Sequence, residues 1–187
     1  MGSSMTPTDG LREEHRIIKQ VILPVLEEIC AEIESGRSVE QNNLEGFIVF
    51  VKEFIEKSHY IKEETYLFPE MEKAEISGAK ELITSLKKEH EEERQYINEI
   101  DKVIFEKEEN RELSAMVEYS RAYMRLLVLH IDKEENELFP MADAYLSPTV
   151  QKDLLKSFED VDTGIIGPER QEELKMWLEG KTYVKPE

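Results

Sequence analysis

The chain has 187 residues, about one domain by length, and its 42 Asp+Glu against 24 Lys+Arg give a formal net charge of −18. That balance argues against a nucleic-acid surface or an anionic membrane as partner, and the longest apolar runs, such as Phe47 to Val51 and Leu126 to Leu129, are far below the roughly 20 residues of a spanning helix. Hydrophobic residues at 40% still allow a core, and the single cysteine, Cys30, reads as a small core residue in a reducing cytoplasm.

Met1-Gly2-Ser3-Ser4 lacks an apolar signal core and reads as a tag remnant, so residues 1–9 are expected to be disordered. From there the apolar spacing is helical. One stripe runs Leu11, His15, Ile18, Ile22, Val25, Ile29, Ile33, and a second Leu44, Phe47, Val51, Ile55, His59, Glu63, Tyr66. A third runs Leu82, Leu86, His90, Glu93, Ile97, Ile100, Ile104, and a fourth Met116, Tyr119, Tyr123, Leu127, His130, Glu134, Leu138, Met141. Steps of three and four put each set on one helix face. Gly36, Gly78 and Glu108-Glu109-Asn110 separate the stripes, and Pro24 should kink the first helix. The expected fold is all-α, an up-down-up-down four-helix bundle over residues 10–146. Beyond it, 149–158 reads as a short helix and Gly164 to Gly167 as a loop. Pro168 reads as the start of a last helix with Leu174, Trp177 and Leu178, so 147–187 is expected to be a helical extension packed on the bundle.

Two segments share the pattern H-x-x-K-E-E-x-x-L-F-P, one from His59 to Pro69 and the other 71 residues later, from His130 to Pro140. The other two histidines are 75 residues apart, and each follows a glutamate: Glu14-His15 and Glu89-His90. The chain reads as a duplicated helical hairpin whose halves face each other.

Residues four apart on a helix differ by about 40° in direction, so His59 with Glu63, and His130 with Glu134, can address one point in the core. Unpaired carboxylates on an apolar face cost several kcal/mol each, and a cation offsets that cost. Imidazole with carboxylate suits iron, manganese or zinc. Four imidazoles, two bridging carboxylates and one bridging oxide or hydroxide fill roughly ten of the twelve positions of two octahedral ions, leaving about one open on each. Glu64 and Glu135 are the runner-up carboxylates, since each repeat reads Lys-Glu-Glu; a step of five, however, turns about 140° away. Glu93 and Tyr123 are candidates for a further ligand or for a hydrogen bond to one; Tyr66 and Tyr119 lie on similar stripes. Met116, Met124 and Met141 read as core filler, and Glu91 to Glu93 with Glu106 to Glu109 as a solvated acidic face. A ferritin-like site would need a doubled Glu-x-x-His; Glu56-Lys57-Ser58-His59 supplies one, but position 127 is leucine.

These histidines and the doubled His-x-x-x-Glu with its Leu-Phe-Pro flank resemble the hemerythrin-like, or HHE cation-binding, domain family over roughly Leu11 to Tyr145. The resemblance implies a four-helix bundle with a non-haem di-iron centre: His15, His59, His90 and His130 as terminal ligands, Glu63 and Glu134 as bridges, and two irons with an oxo or hydroxo bridge. Zinc or manganese fits the same donors. Oxygen-carrying hemerythrins have a fifth histidine where this chain has Arg94, and their fourth-helix carboxylate comes five residues after its histidine. The four-His, two-Glu set is closer to the repair-of-iron-centres proteins, which usually carry a further cysteine-bearing N-terminal segment. The implied function is a cytoplasmic protein of oxidative or nitrosative stress that binds or reduces dioxygen, peroxide or nitric oxide, with a redox partner or an iron–sulfur client. The alternatives are a non-enzymatic sensor or iron donor for cluster repair, and a zinc or manganese bundle without redox chemistry.

Overall fold

The computed structural model describes residues 5–105 and 113–167. The first rod is α1 (Pro7–Ile17), a π-helical segment Ile18–Ile22, and α2 (Leu23–Glu34). The second is α3 (Gln41–Phe50), π-helical segments Val51–His59 and Lys62–Leu67, and α4 (Phe68–Lys73). The third is α5 (Ala79–Phe105), and the fourth is α6 (Leu113–Lys133), π-helical Glu134–Leu138 and α7 (Phe139–Tyr145). Each rod packs on its sequence neighbours, and the fourth closes on the first through α2 with α6 and α1 with α7. That is the expected up-down-up-down bundle, with no strand among the described residues.

The winding of each rod follows from its apolar period. In α5 the buried series Ala79, Ile83, Leu86, His90, Glu93, Ile97, Ile100, Ile104 alternates steps of four and three, close to 3.6, and the rod stays α. In the second rod the buried series Phe47, Val51, Ile55, His59, Glu63, Leu67 steps by four throughout. On α geometry those five steps would swing the face by about 200°. The wider π turns absorb that rotation, and His59, Glu63 and Leu67 keep one azimuth. The fourth rod does the same at Glu134–Leu138.

In the first rod the π turns precede Pro24, which lacks the N–H that would bond the carbonyl four residues back. The sequence predicts a kink at Pro24; what the structure shows there is this widening. It also shifts the buried face: Leu26, Ile29 and Cys30 are buried, while Val25 and Ile33 pack only partly.

α1 begins at Pro7, ahead of the expected boundary at residue 10, because Thr6 and Asp9 form a reciprocal capping box. Gly36, at φ 71°, ends α2: its N–H bonds Ile33 and that of Arg37 bonds Glu32, each at 3.0 Å.

α8 (Pro148–Val161), capped by Ser147, covers the expected 149–158 helix and runs longer. Gly164 to Ile166 continue it as π turns of Asp162–Ile166 rather than forming a loop; of the expected loop only Gly167, at φ 73°, is not helical. Glu106 to Asn110 and the helix expected from Pro168, with Leu174, Trp177 and Leu178, lie outside the described residues.

Two apolar clusters result. One gathers Ile18, Phe47, Phe50, Ile97, Met116 and Leu127; the other gathers Leu11, Phe68, Met71, Phe139 and, from α8, Leu154 and Phe158. Between them His15, His59, Glu63, His90, His130 and Glu134 form a buried polar layer.

Candidate metal centre

Each of the four buried imidazoles donates from Nδ1 to a carboxylate: His15 to Glu135 at 3.2 Å, His59 to Glu14 at 2.7 Å, His90 to Glu64 at 2.6 Å and His130 to Glu89 at 3.1 Å. An ionised carboxylate only accepts, so Nδ1 carries the proton and Nε2 of a neutral ring presents a lone pair. The acceptors are themselves braced. Lys19 bonds Glu135 at 2.8 Å, Arg94 bonds Glu64 at 2.7 Å, and Lys62 and Lys133 bond Glu14 and Glu89. Phe139 and Phe68, of the repeated Leu-Phe-Pro, stack on His15 and His90.

The Nε2 atoms then face each other in pairs, 3.1 Å for His15 with His59 and 3.0 Å for His90 with His130. Two lone pairs at that separation repel unless a proton or a metal cation lies between them. Glu63 reaches both pairs, its oxygens 3.4 Å from His59 Nε2 and 3.4 Å from His90 Nε2. Glu134 does likewise, with one oxygen 3.2 Å from His15 and 3.3 Å from His130. All four oxygens of Glu63 and Glu134 are buried without a hydrogen-bond partner. Uncompensated, such groups are strongly destabilising.

Two donor groups emerge, His15, His59, Glu63, Glu134 and Glu63, His90, His130, Glu134, each with its ligand atoms within 4.8 Å of one another. They share both glutamates, so each group could hold a cation with the same two carboxylates within reach of both.

The charged groups of the layer also act on one another's ionisation. Burial and the neighbouring His15 push His59 down, whereas in His15 the carboxylates Glu134 and Glu135 outweigh burial and raise it. Burial takes His90 to about 4, while Glu134 and Glu93 outweigh burial and hold His130 well above the ordinary value. So in each pair one ring is pushed up and the other down. Burial and the adjacent Glu134 push Glu63 well up, while His130 and His15 outweigh burial and keep Glu134 ionised.

The family model of the hemerythrin HHE cation-binding domain matches residues 6–142. The chain belongs to the hemerythrin HHE family. No curated protein and no solved structure matches it. Cation binding is thus a family property, and this HHE domain brings a suitable buried donor set together at the centre of its bundle.

The structure separates the two carboxylates of each Lys-Glu-Glu. Glu63 and Glu134 turn into the core, while Glu64 and Glu135, partly exposed, serve as Nδ1 acceptors for the histidines of the other half. Glu91 and Glu92 are exposed, but Glu93 is buried, with one oxygen accepting from Tyr60 Oη and the other unpartnered; burial raises it to about 7. Tyr123 is buried with its hydroxyl unpartnered, whereas Tyr66 and Tyr119 pack at the edges of the apolar clusters. Sequence reasoning passed over Tyr60, Lys62 and Asp162, and noted Glu14 and Glu89 only as neighbours of histidines. The signal for Lys62 was present, since Lys62 and Lys133 occupy the same place in the repeat.

Proposed function

We propose that this HHE domain is a non-haem di-iron protein that binds or reduces a small oxidant, dioxygen, peroxide or nitric oxide, in a reducing compartment. The observation that carries this reading is the sharing of two unpartnered, fully buried glutamates between two histidine pairs. His15 and His59 would hold one iron, His90 and His130 the other, and Glu63 with Glu134 would bridge them. Iron so bound supplies one-electron exchange with a small oxidant.

The chain's own part is preorganisation. The carboxylate acceptors fix each imidazole's tautomer and raise its basicity. The Phe68 and Phe139 rings pack over His90 and His15, and apolar clusters above and below keep bulk water from the layer. Two imidazoles and two shared carboxylates would leave each ion's coordination incomplete, with room for a small ligand. An electron donor or an iron–sulfur client would be the protein partner.

The test is iron-loaded protein given peroxide or nitric oxide with a reductant. Turnover beyond one equivalent per centre supports reduction. A reversible spectral change without product points to binding alone. Absence of either contradicts the reading.

A further inference from the structure

The family match ends at residue 142, and α8 with the π turns Asp162–Ile166 lies beyond it. The turns pack on the Val51–His59 segment, and α8 packs on Lys62–Leu67 and on α1. The two halves of the duplication differ where the turns lie. Ser58 is buried and bonds Asp162, whereas Leu129, its counterpart by the 71-residue offset, is exposed.

Both halves carry the same chain of contacts from a lysine to a histidine. Lys133 donates to Glu89, which accepts from His130 Nδ1. Lys62 donates to Glu14 Oε1, while Glu14 Oε2 accepts from His59 Nδ1 at 2.7 Å. The lysines differ in what surrounds them. Lys133 is partly exposed, so water shares its charge. Lys62 is fully buried, and its second anion is Asp162, with Oδ1 2.6 Å from the ammonium and 3.1 Å from Ser58 Oγ. Asp162 is itself partly exposed, so it keeps its charge at little desolvation cost and brings it to an ammonium that solvent barely reaches. With Asp162 present, Lys62 needs one oxygen of Glu14, and the other stays on His59. Without it the buried ammonium would draw on Glu14 alone, and the carboxylate would turn towards Lys62 and away from the imidazole.

We propose that Asp162 is a positioning residue of the centre: it seats Lys62 against one oxygen of Glu14 and so holds His59 in the orientation that presents Nε2 to a cation. It acts through Lys62 and Glu14. The role of His59 as a ligand rests on the two-cation reading above, but the hold on its ring does not.

The test is Asp162→Asn in the full chain, which keeps an acceptor for Ser58 and removes the charge. Leu154→Ala is the comparison, since it loosens the apolar packing of α8 and leaves this chain of contacts intact. In metal-free protein the His59 Nδ1–H resonance should move in Asp162→Asn, and those of His90 and His130 should stay. Of two Co2+ ions bound, one should pass to EDTA about three- to tenfold faster, less than the roughly 10–100-fold effect of losing an acceptor outright. Leu154→Ala should melt lower and leave the His59 resonance in place.

An unmoved His59 resonance in Asp162→Asn, or Co2+ release at the wild-type rate, overturns the assignment whatever the melting temperature. So does a Leu154→Ala variant that moves the resonance as far, because Asp162 would then serve only the packing of the extension. Wild-type protein that binds fewer than two Co2+ ions overturns the two-cation reading alone, since the resonance of the metal-free protein tests Asp162 without it.

Discussion

Each imidazole is committed at Nδ1 before any cation arrives, and the four acceptors differ in exposure. Glu14 and Glu89 are more enclosed than Glu64 and Glu135. Removing an acceptor should loosen its ring without emptying the centre: Glu14→Ala or Glu64→Ala should weaken metal binding on the order of 10–100-fold, measured by competition with a chelator. Acid should act on the same groups. Hydrogen bonding from His15, with Lys19, holds Glu135 at about 2; for Glu89, bonds from His130 and Lys133 outweigh burial and give about 2. These folded values lie below the ordinary 4.5, so their stabilisation is present above 4.5 and is lost as pH falls toward 2. Metal-free protein should lose stability through that window, followed by far-UV circular dichroism. That Glu63 and Glu134 turn inward while Glu64 and Glu135 do not was legible, since a step of four stays within about 40° of the histidine and a step of five turns about 140° away. Tyr60 was not, because it lies off the apolar stripe and reaches the layer by packing flat on His90, which a one-dimensional pattern does not encode.

At the scale of elements, the π turns lie where the apolar period is four, and α5, with its period near 3.6, has none. A purely α rod through Glu63 would carry Leu67 off the core face. The stripes therefore predicted four helices correctly but not the winding that keeps them in register. The element after the bundle is tied to the centre. Lys62, fully buried, bonds Glu14 and lies 2.6 Å from Asp162, and Asp162 also accepts from Ser58 at 3.1 Å. In the other half Lys133 is partly exposed and pairs with Glu89 and Ser85. Asp162→Ala would leave the Lys62 ammonium with Glu14 alone. It should cost about 1–3 kcal/mol in denaturant unfolding and speed metal release from the His15/His59 side. Lys133→Ala, on the more exposed side, should cost less.

At the scale of the molecule, the described residues form two apolar clusters with a polar layer between them, and that layer opposes folding unless its charges are compensated. It holds buried carboxylates with no hydrogen-bond partner and imidazole pairs whose Nε2 atoms lie 3.1 and 3.0 Å apart. The chain's net charge of −18 adds self-repulsion, so added salt should raise the melting temperature of the metal-free form. Cation binding supplies folding energy, about 4 kcal/mol at a free metal concentration a thousand times Kd. Protons held by His130 and Glu63 must leave as metal enters, so affinity should fall as pH falls. The most direct measurement is metal content per chain with a visible spectrum, on iron-loaded protein exposed to air, for the wild type and for His59→Ala and His130→Ala. The account predicts about two irons per chain with an oxo-bridge charge-transfer band, and both metal content and melting temperature lowered in each variant. Full metal content and unchanged melting in the variants, or a wild type that takes up no iron pair, would contradict it.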